Sequence, residues 1–163
     1  MDPLINYKKL AVVLTVFAAL LFISRVNNPP NGRTGAPGDG SCGDAGCHNG
    51  FSSLDGSIVI TGLPDQVETD SIYPLRVTLM NPNGSASRGG FQLLALGNSN
   101  DSVGLFNNPD PSSTLTQVFS KIYWEHQPAK FFDLQNAVTY EIDWQAPADL
   151  SDTSIIFYTT GVI

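Results

Sequence analysis

From Ser57 onward the chain alternates short apolar runs with polar turn residues, and the alternation has a period of two. Ser57 to Thr61 (SIVIT) is the first predicted strand, ended by Gly62-Leu63-Pro64. Ile72 to Met80 (IYPLRVTLM) sets Leu75, Val77 and Leu79 on one face against Arg76 and Thr78 on the other, with Pro74 placing its start at a sheet edge. Phe91 to Leu96 follows a Gly89-Gly90 pair, and Leu115 to Trp124 (LTQVFSKIYW) reads as one long strand. Val138 to Trp144 alternates cleanly, and Ser154 to Thr160 closes the series. Turn signals such as Asn81-Pro82-Asn83-Gly84 and Asn107-Asn108-Pro109-Asp110-Pro111 separate several of these runs. Six strands with such spacing predict an all-β fold, an antiparallel β-sandwich of about seven strands.

The N-terminal pattern is different. Leu10 to Ile23 contains only Thr15 as a polar residue and follows Lys8 and Lys9. Fourteen residues suit a signal-peptide core, whereas a spanning helix needs roughly 17–25. If Arg25 snorkels, the apolar span reaches Val26 and becomes long enough to anchor. A bulky residue near Ser24 makes a poor cleavage site, which favours an uncleaved anchor. Either form exports the downstream chain, with Lys8 and Lys9 left on the cytoplasmic side. The expected organisation is therefore a transmembrane or signal helix over 1–26, a Pro/Gly-rich linker over 27–55 and a β-sandwich over 56–163. Asn27 to Gly40 holds three Pro and four Gly in fourteen residues, a loop and not a helix. The sandwich ends within three residues of its last strand, which raises the expectation of an open edge.

Charge narrows the partners. Three of eight basic residues and only Asp2 of fifteen acidic ones lie in the first 26, leaving five against fourteen, a net of −9. Such a surface disfavours nucleic acid and anionic lipid, and suits solubility outside the cytoplasm or docking on a basic partner.

The sharpest chemistry is Cys42-Gly-Asp-Ala-Gly-Cys47-His48, which holds both cysteines of the chain. Two thiols followed at once by His is the order of covalent haem c (heme c) attachment: thioethers to the vinyl groups, and the His on the iron. The spacer here has four residues in place of the common two, and Gly43 and Gly46 would let it bulge. A disulfide between Cys42 and Cys47 is the competing reading, as two cysteines in an exported protein usually pair. A zinc site would have to use Cys42, Cys47, His48 and His126 together. For a haem, His48 is the proximal ligand and His126 the first choice for the sixth position, with Met80 behind it. Tyr123, Trp124 and Phe131-Phe132 could wall a haem or fill the sandwich core. Asp39 and Asp44 read as turn formers that could hold a cation. No catalytic constellation stands out, so the expectation is an electron carrier or accessory subunit, not an enzyme, with no small-molecule substrate.

These residues carry a resemblance. Thr34-Gly35-Ala36-Pro37-Gly38-Asp39 leading into the Cys…Cys-His motif resembles the N-terminal signature of Reeler-like (reelin-domain) envelope proteins of Bacteroidetes with a choice-of-anchor region. Gly90-Phe91-Gln92-Leu93, Glu125-His126, Trp144-Gln145-Ala146-Pro147 and Ile156-Phe157-Tyr158 follow in the matching order over about residues 33–160. The resemblance implies an immunoglobulin-like sandwich at the cell envelope. It also implies haem as a shared purpose, since both two- and four-residue spacers lead into His in such proteins. Relatives usually continue past the position of Ile163 with a further strand and a sorting tail.

The leading expectation is thus an inner-membrane-anchored monohaem c-type cytochrome domain facing the periplasm, or at the cell surface if cleaved. It would carry electrons for a membrane complex through a basic redox partner. The alternative is a non-catalytic envelope, adhesion or assembly module with a Cys42–Cys47 disulfide.

Overall fold

The computed structural model describes residues 27–44, 55–84, 86–150 and 154–163. The anchor over 1–26 and the residues Cys47 and His48 lie outside them. Among the described residues no helix is long and apolar enough to cross a membrane.

The described chain is all-β. Strands β1 (Ser57–Thr61), β2 (Ile72–Met80), β8 (Ala137–Gln145) and β4 (Leu105–Asn107) form one antiparallel sheet in the order β1-β2-β8-β4. The second sheet runs β5 (Ser113–Val118), β6 (Lys121–His126), β3 (Arg88–Leu96), with β7 (Lys130–Phe131) and β9 (Ile156–Val162) both paired to β3. β2 and β8 pair over their full length, Ile72 opposite Gln145 through Met80 opposite Ala137. That register puts Leu75, Val77 and Leu79 beside Val138, Tyr140, Ile142 and Trp144, all buried. Each such side chain contributes about 1.5–3 kcal/mol by leaving water. From the facing sheet Phe91 meets Trp124 edge-on at 4.6 Å and Tyr140 at 4.7 Å, while Phe157 meets Trp144 edge-on at 5.0 Å. Pro74 pairs only with β8, because β1 stops opposite Arg76, so the missing N–H meets the open side as expected.

Four features depart from the pattern. Leu115 to Trp124 is not one strand but a hairpin that turns at Phe119-Ser120, where Phe119 takes a φ of 54° and is 95% exposed. β3 begins at Arg88, so Gly89 and Gly90 lie inside it: a methyl at Gly89 would come within 2.8 Å of Val138 and one at Gly90 within 2.6 Å of the His126 ring. Glycine is there for close approach and not as a breaker. β4 and β7, of three and two residues, are too short to show a period. The last strand runs Ile156–Val162, two residues later than its pattern suggests.

Candidate functional site

β3 is buried on both faces, unlike the alternating β2 and β8. One face points into the inter-sheet core. The other is covered by residues 30–42, which bend into a small hairpin bridged between Thr34 and Ser41. Gly35 donates to Gly40 O at 2.9 Å and Asp39 donates to Ala36 O at 2.9 Å. Gly35 and Gly38 hold φ of 76° and 82°, a region glycine enters without a Cβ clash, so the Thr-Gly-Ala-Pro-Gly-Asp run can fold this tightly. Its Ala36 is 2% exposed and packs with Leu94, Leu96 and Tyr123.

Asp39 is the hub of this strap. Its carboxylate, 4% exposed, accepts from Thr34 Oγ1 at 2.6 Å, Lys121 Nζ at 2.7 Å and Tyr123 OH at 3.2 Å. Lys121 also donates to Pro37 O at 2.8 Å. Burial, and then the Asp39 charge, push the Tyr123 phenol up to about 12. A second polar group lies beneath the strap's start. Arg33 N donates to Gln92 Oε1 at 2.6 Å, Gln92 Nε2 donates to Glu125 Oε2 at 2.5 Å, and Thr116 Oγ1 donates to Glu125 Oε1 at 2.7 Å. Gln92 and Glu125 are fully buried, and these bonds satisfy groups that would otherwise be costly to bury.

Cys42 ends this segment, just past the Thr34–Ser41 bridge, and is 8% exposed. Its sulfur lies 3.1 Å from Thr160 Oγ1 on β9 and 3.7 Å from Arg33 O, and Thr160 Oγ1 also donates to Arg33 O. Asp44 closes the turn by accepting from Ser41 N at 2.8 Å, Ser41 Oγ at 3.0 Å and the Arg33 guanidinium at 3.0 Å. The Ser41 bonds, with help from Arg33, hold its pKa below the usual carboxylate range. Both loop aspartates named from the sequence are thus engaged within the protein, Asp39 far more deeply than a turn former.

His126 ends β6, 5% exposed, its ring pressed on Gly90. Nδ1 lies 2.9 Å from Phe91 N and 3.0 Å from Phe91 O, so the backbone of β3 holds one ring nitrogen. Burial lowers its pKa. Of the aromatic residues that could have walled a haem, Trp124 fills the inter-sheet core and Phe132 packs against it. Tyr123 lies under the strap, and Phe131 is 65% exposed with the Arg88 guanidinium 3.8 Å above its ring. Met80 is partly exposed at the end of β2. Among the described residues no three His, Cys, Asp or Glu side chains converge as a metal site. The sequence assigned no role to Gln92, Lys121, Glu125 or Thr160, and Gln92 and Glu125 entered only within the strings that carry the resemblance. The one available signal was that Gln92 and Glu125 interrupt otherwise apolar runs.

No family model matches the chain, and no curated protein matches it. Solved structures do. Two crystal structures of the human F-spondin reeler domain share 23% and 21% identity, with TM-scores of 0.47 and 0.46; the match covers 66% of this chain and 78% and 74% of theirs. A Reelin-N domain of F-spondin shares 22% identity over 66% of this chain and 71% of its own, with a TM-score of 0.46. Identity and TM-score at this level establish neither family membership nor activity.

Proposed function

We propose that the chain is a non-catalytic β-sandwich module of the cell envelope, carried by its N-terminal apolar segment and working in adhesion or in assembly of a membrane complex. In this reading Cys42 and Cys47 form a disulfide that finishes the strap. The seating of Cys42 carries the proposal. Its sulfur is packed into the sandwich wall against Thr160 and Arg33 O, at the foot of a strap that Asp39 already pins to the sheet. A bridge to Cys47 would close a small loop and contribute about 2 kcal/mol by chain entropy. The acidic surface, net −9 beyond residue 26, would steer a basic partner.

The second reading is a monohaem c-type electron carrier, favoured by His48 standing directly after Cys47. Cys42 and Cys47 would hold the haem by thioethers, His48 would ligate the iron, and His126 could do so only through Nε2, since Nδ1 is engaged by Phe91. Mass and visible spectra of the full chain, purified after export without reductant, decide between them. The disulfide predicts a colourless protein that gains two hydrogens on reduction. A Soret band that survives acid-acetone extraction, with a mass gain of one haem, would overturn it.

A further inference from the structure

The edge strand β5 combines three independent features. It is the outer strand of its sheet, and among the described residues no strand pairs with its other side. Val118 and Lys121 flank a two-residue turn, so Val118, Thr116 and Thr114 direct their N–H and C=O toward β6. Leu115 and Gln117 therefore direct theirs outward, two donors and two acceptors along an open edge. Natural edges are usually blunted by charge, Pro, a bulge or brevity. β4 is only three residues long, but β5 has six, and the run Ser112 to Ser120 contains no charged residue, Pro or Gly. The third feature is Phe119 at the tip. It holds a left-handed φ of 54° while exposing 95% of its surface, a backbone cost that nothing in its own fold repays by packing.

We propose that β5 is a homodimer seam, in which two copies pair their β5 strands antiparallel about a two-fold axis through Thr116. The register is self-complementary. Leu115 of each copy falls opposite Gln117 of the other, and their outward N–H and C=O groups pair as four hydrogen bonds. Phe119 falls opposite Ser113 of the second copy, beside the Pro109–Pro111 corner, which gives the exposed ring a surface to cover. No like charges meet along the seam, because the run is uncharged and the nearby Asp110 is bound to Lys130 at 2.5 Å. A second copy suits this edge better than a charged partner, which would find no counter-charge there. The seam goes beyond the proposed module function and is independent of the fate of Cys42 and Cys47.

The test uses the full chain in neutral detergent, with a photo-cross-linking amino acid in place of Gln117 and sedimentation equilibrium on the unmodified chain. The seam is short, so a dissociation constant on the order of 10 µM is expected. Cross-links should map to Leu115–Gln117 of a second copy. Gln117→Pro removes one outward N–H without touching the β5–β6 ladder and should abolish the dimer with unchanged thermal unfolding. Phe119→Asn suits the left-handed turn, so it tests the seam even if the proline variant misfolds; it should weaken the dimer about tenfold. A chain that stays monomeric at roughly a hundred times the expected constant overturns the proposal. So does a dimer unaffected by both variants, or a cross-link that maps only elsewhere.

Discussion

At Gly90 a methyl group would lie 2.6 Å from His126 Cε1 and 2.8 Å from Nε2, with the ring held by Phe91 and nearly sealed from solvent. Neither neighbour can retreat without breaking the Nδ1 contact, so Gly90→Ala should cost about 1–3 kcal/mol. A chemical-denaturation midpoint equal to wild type would show that the ring has room to move. The same burial gives His126 a pH signature. Its folded pKa lies below the ordinary imidazole value of 6.5, so the unfolded chain binds the proton more readily. The neutral ring is the folded form, and stability is intact above pH 6.5. It is lost as pH falls from there toward the lower folded pKa. His126→Gln should flatten the stability profile in that window. Parallel profiles for the two proteins between pH 5 and 7 would mean that the ring charges as easily folded as unfolded.

The strap over residues 34–41 and the β5–β6 hairpin show what an element adds beyond its residues. Asp39→Ala leaves the largely enclosed Lys121 without its carboxylate and frees Thr34 and Tyr123 as well. The pair is largely buried, and the loss should be about 2–3 kcal/mol. Hydrogen exchange should quicken at Gly35, Asp39 and Gly40 while amides of β2 and β8 stay protected; uniform loss of protection would mean that the strap is not a separate unit. In the hairpin, Phe119→Asn should stabilise the monomer by about 0.5–1 kcal/mol, since Asn enters the left-handed region more easily and no packing is lost. Unchanged or lower thermal stability in dilute solution would argue that the Phe119 backbone carries no strain. These two elements were also the least legible ones. β1 and β2 could be read to the residue, because polar turns bound them and alternation runs through β2. The hairpin could not, because Phe119-Ser120 lacks the Gly or Asn that normally announces a two-residue turn.

Across the whole molecule, legibility followed the range of the contacts. The two-sheet sandwich was visible, because period-two patterns report which face each strand buries. The docking of the strap was not. Arg33 meets Gln92 across 59 positions and Thr160 across 127, and no local pattern encodes such pairs. The same distance effect hid the role of Tyr140, which the alternation of Val138 to Trp144 places on the buried face and no more. Its ring lies between the sheets, but its hydroxyl donates to Gly89 O on β3 and accepts from Lys130 N on β7, both at 2.8 Å. Burial pushes that phenol up to about 12, so it remains a neutral donor at any physiological pH. Tyr140 is thus a polar staple between β8 and the facing sheet. Tyr140→Phe keeps the ring, and with it the Lys130 ammonium 4.6 Å from its centroid, while removing both hydroxyl hydrogen bonds from a buried site. It should lower global stability by about 1–3 kcal/mol. Because the staple joins the two layers, the loss should appear as one shifted cooperative transition with the strap still docked. A local opening near Gly89 and Lys130 at unchanged global stability would place the hydroxyl outside the cooperative core.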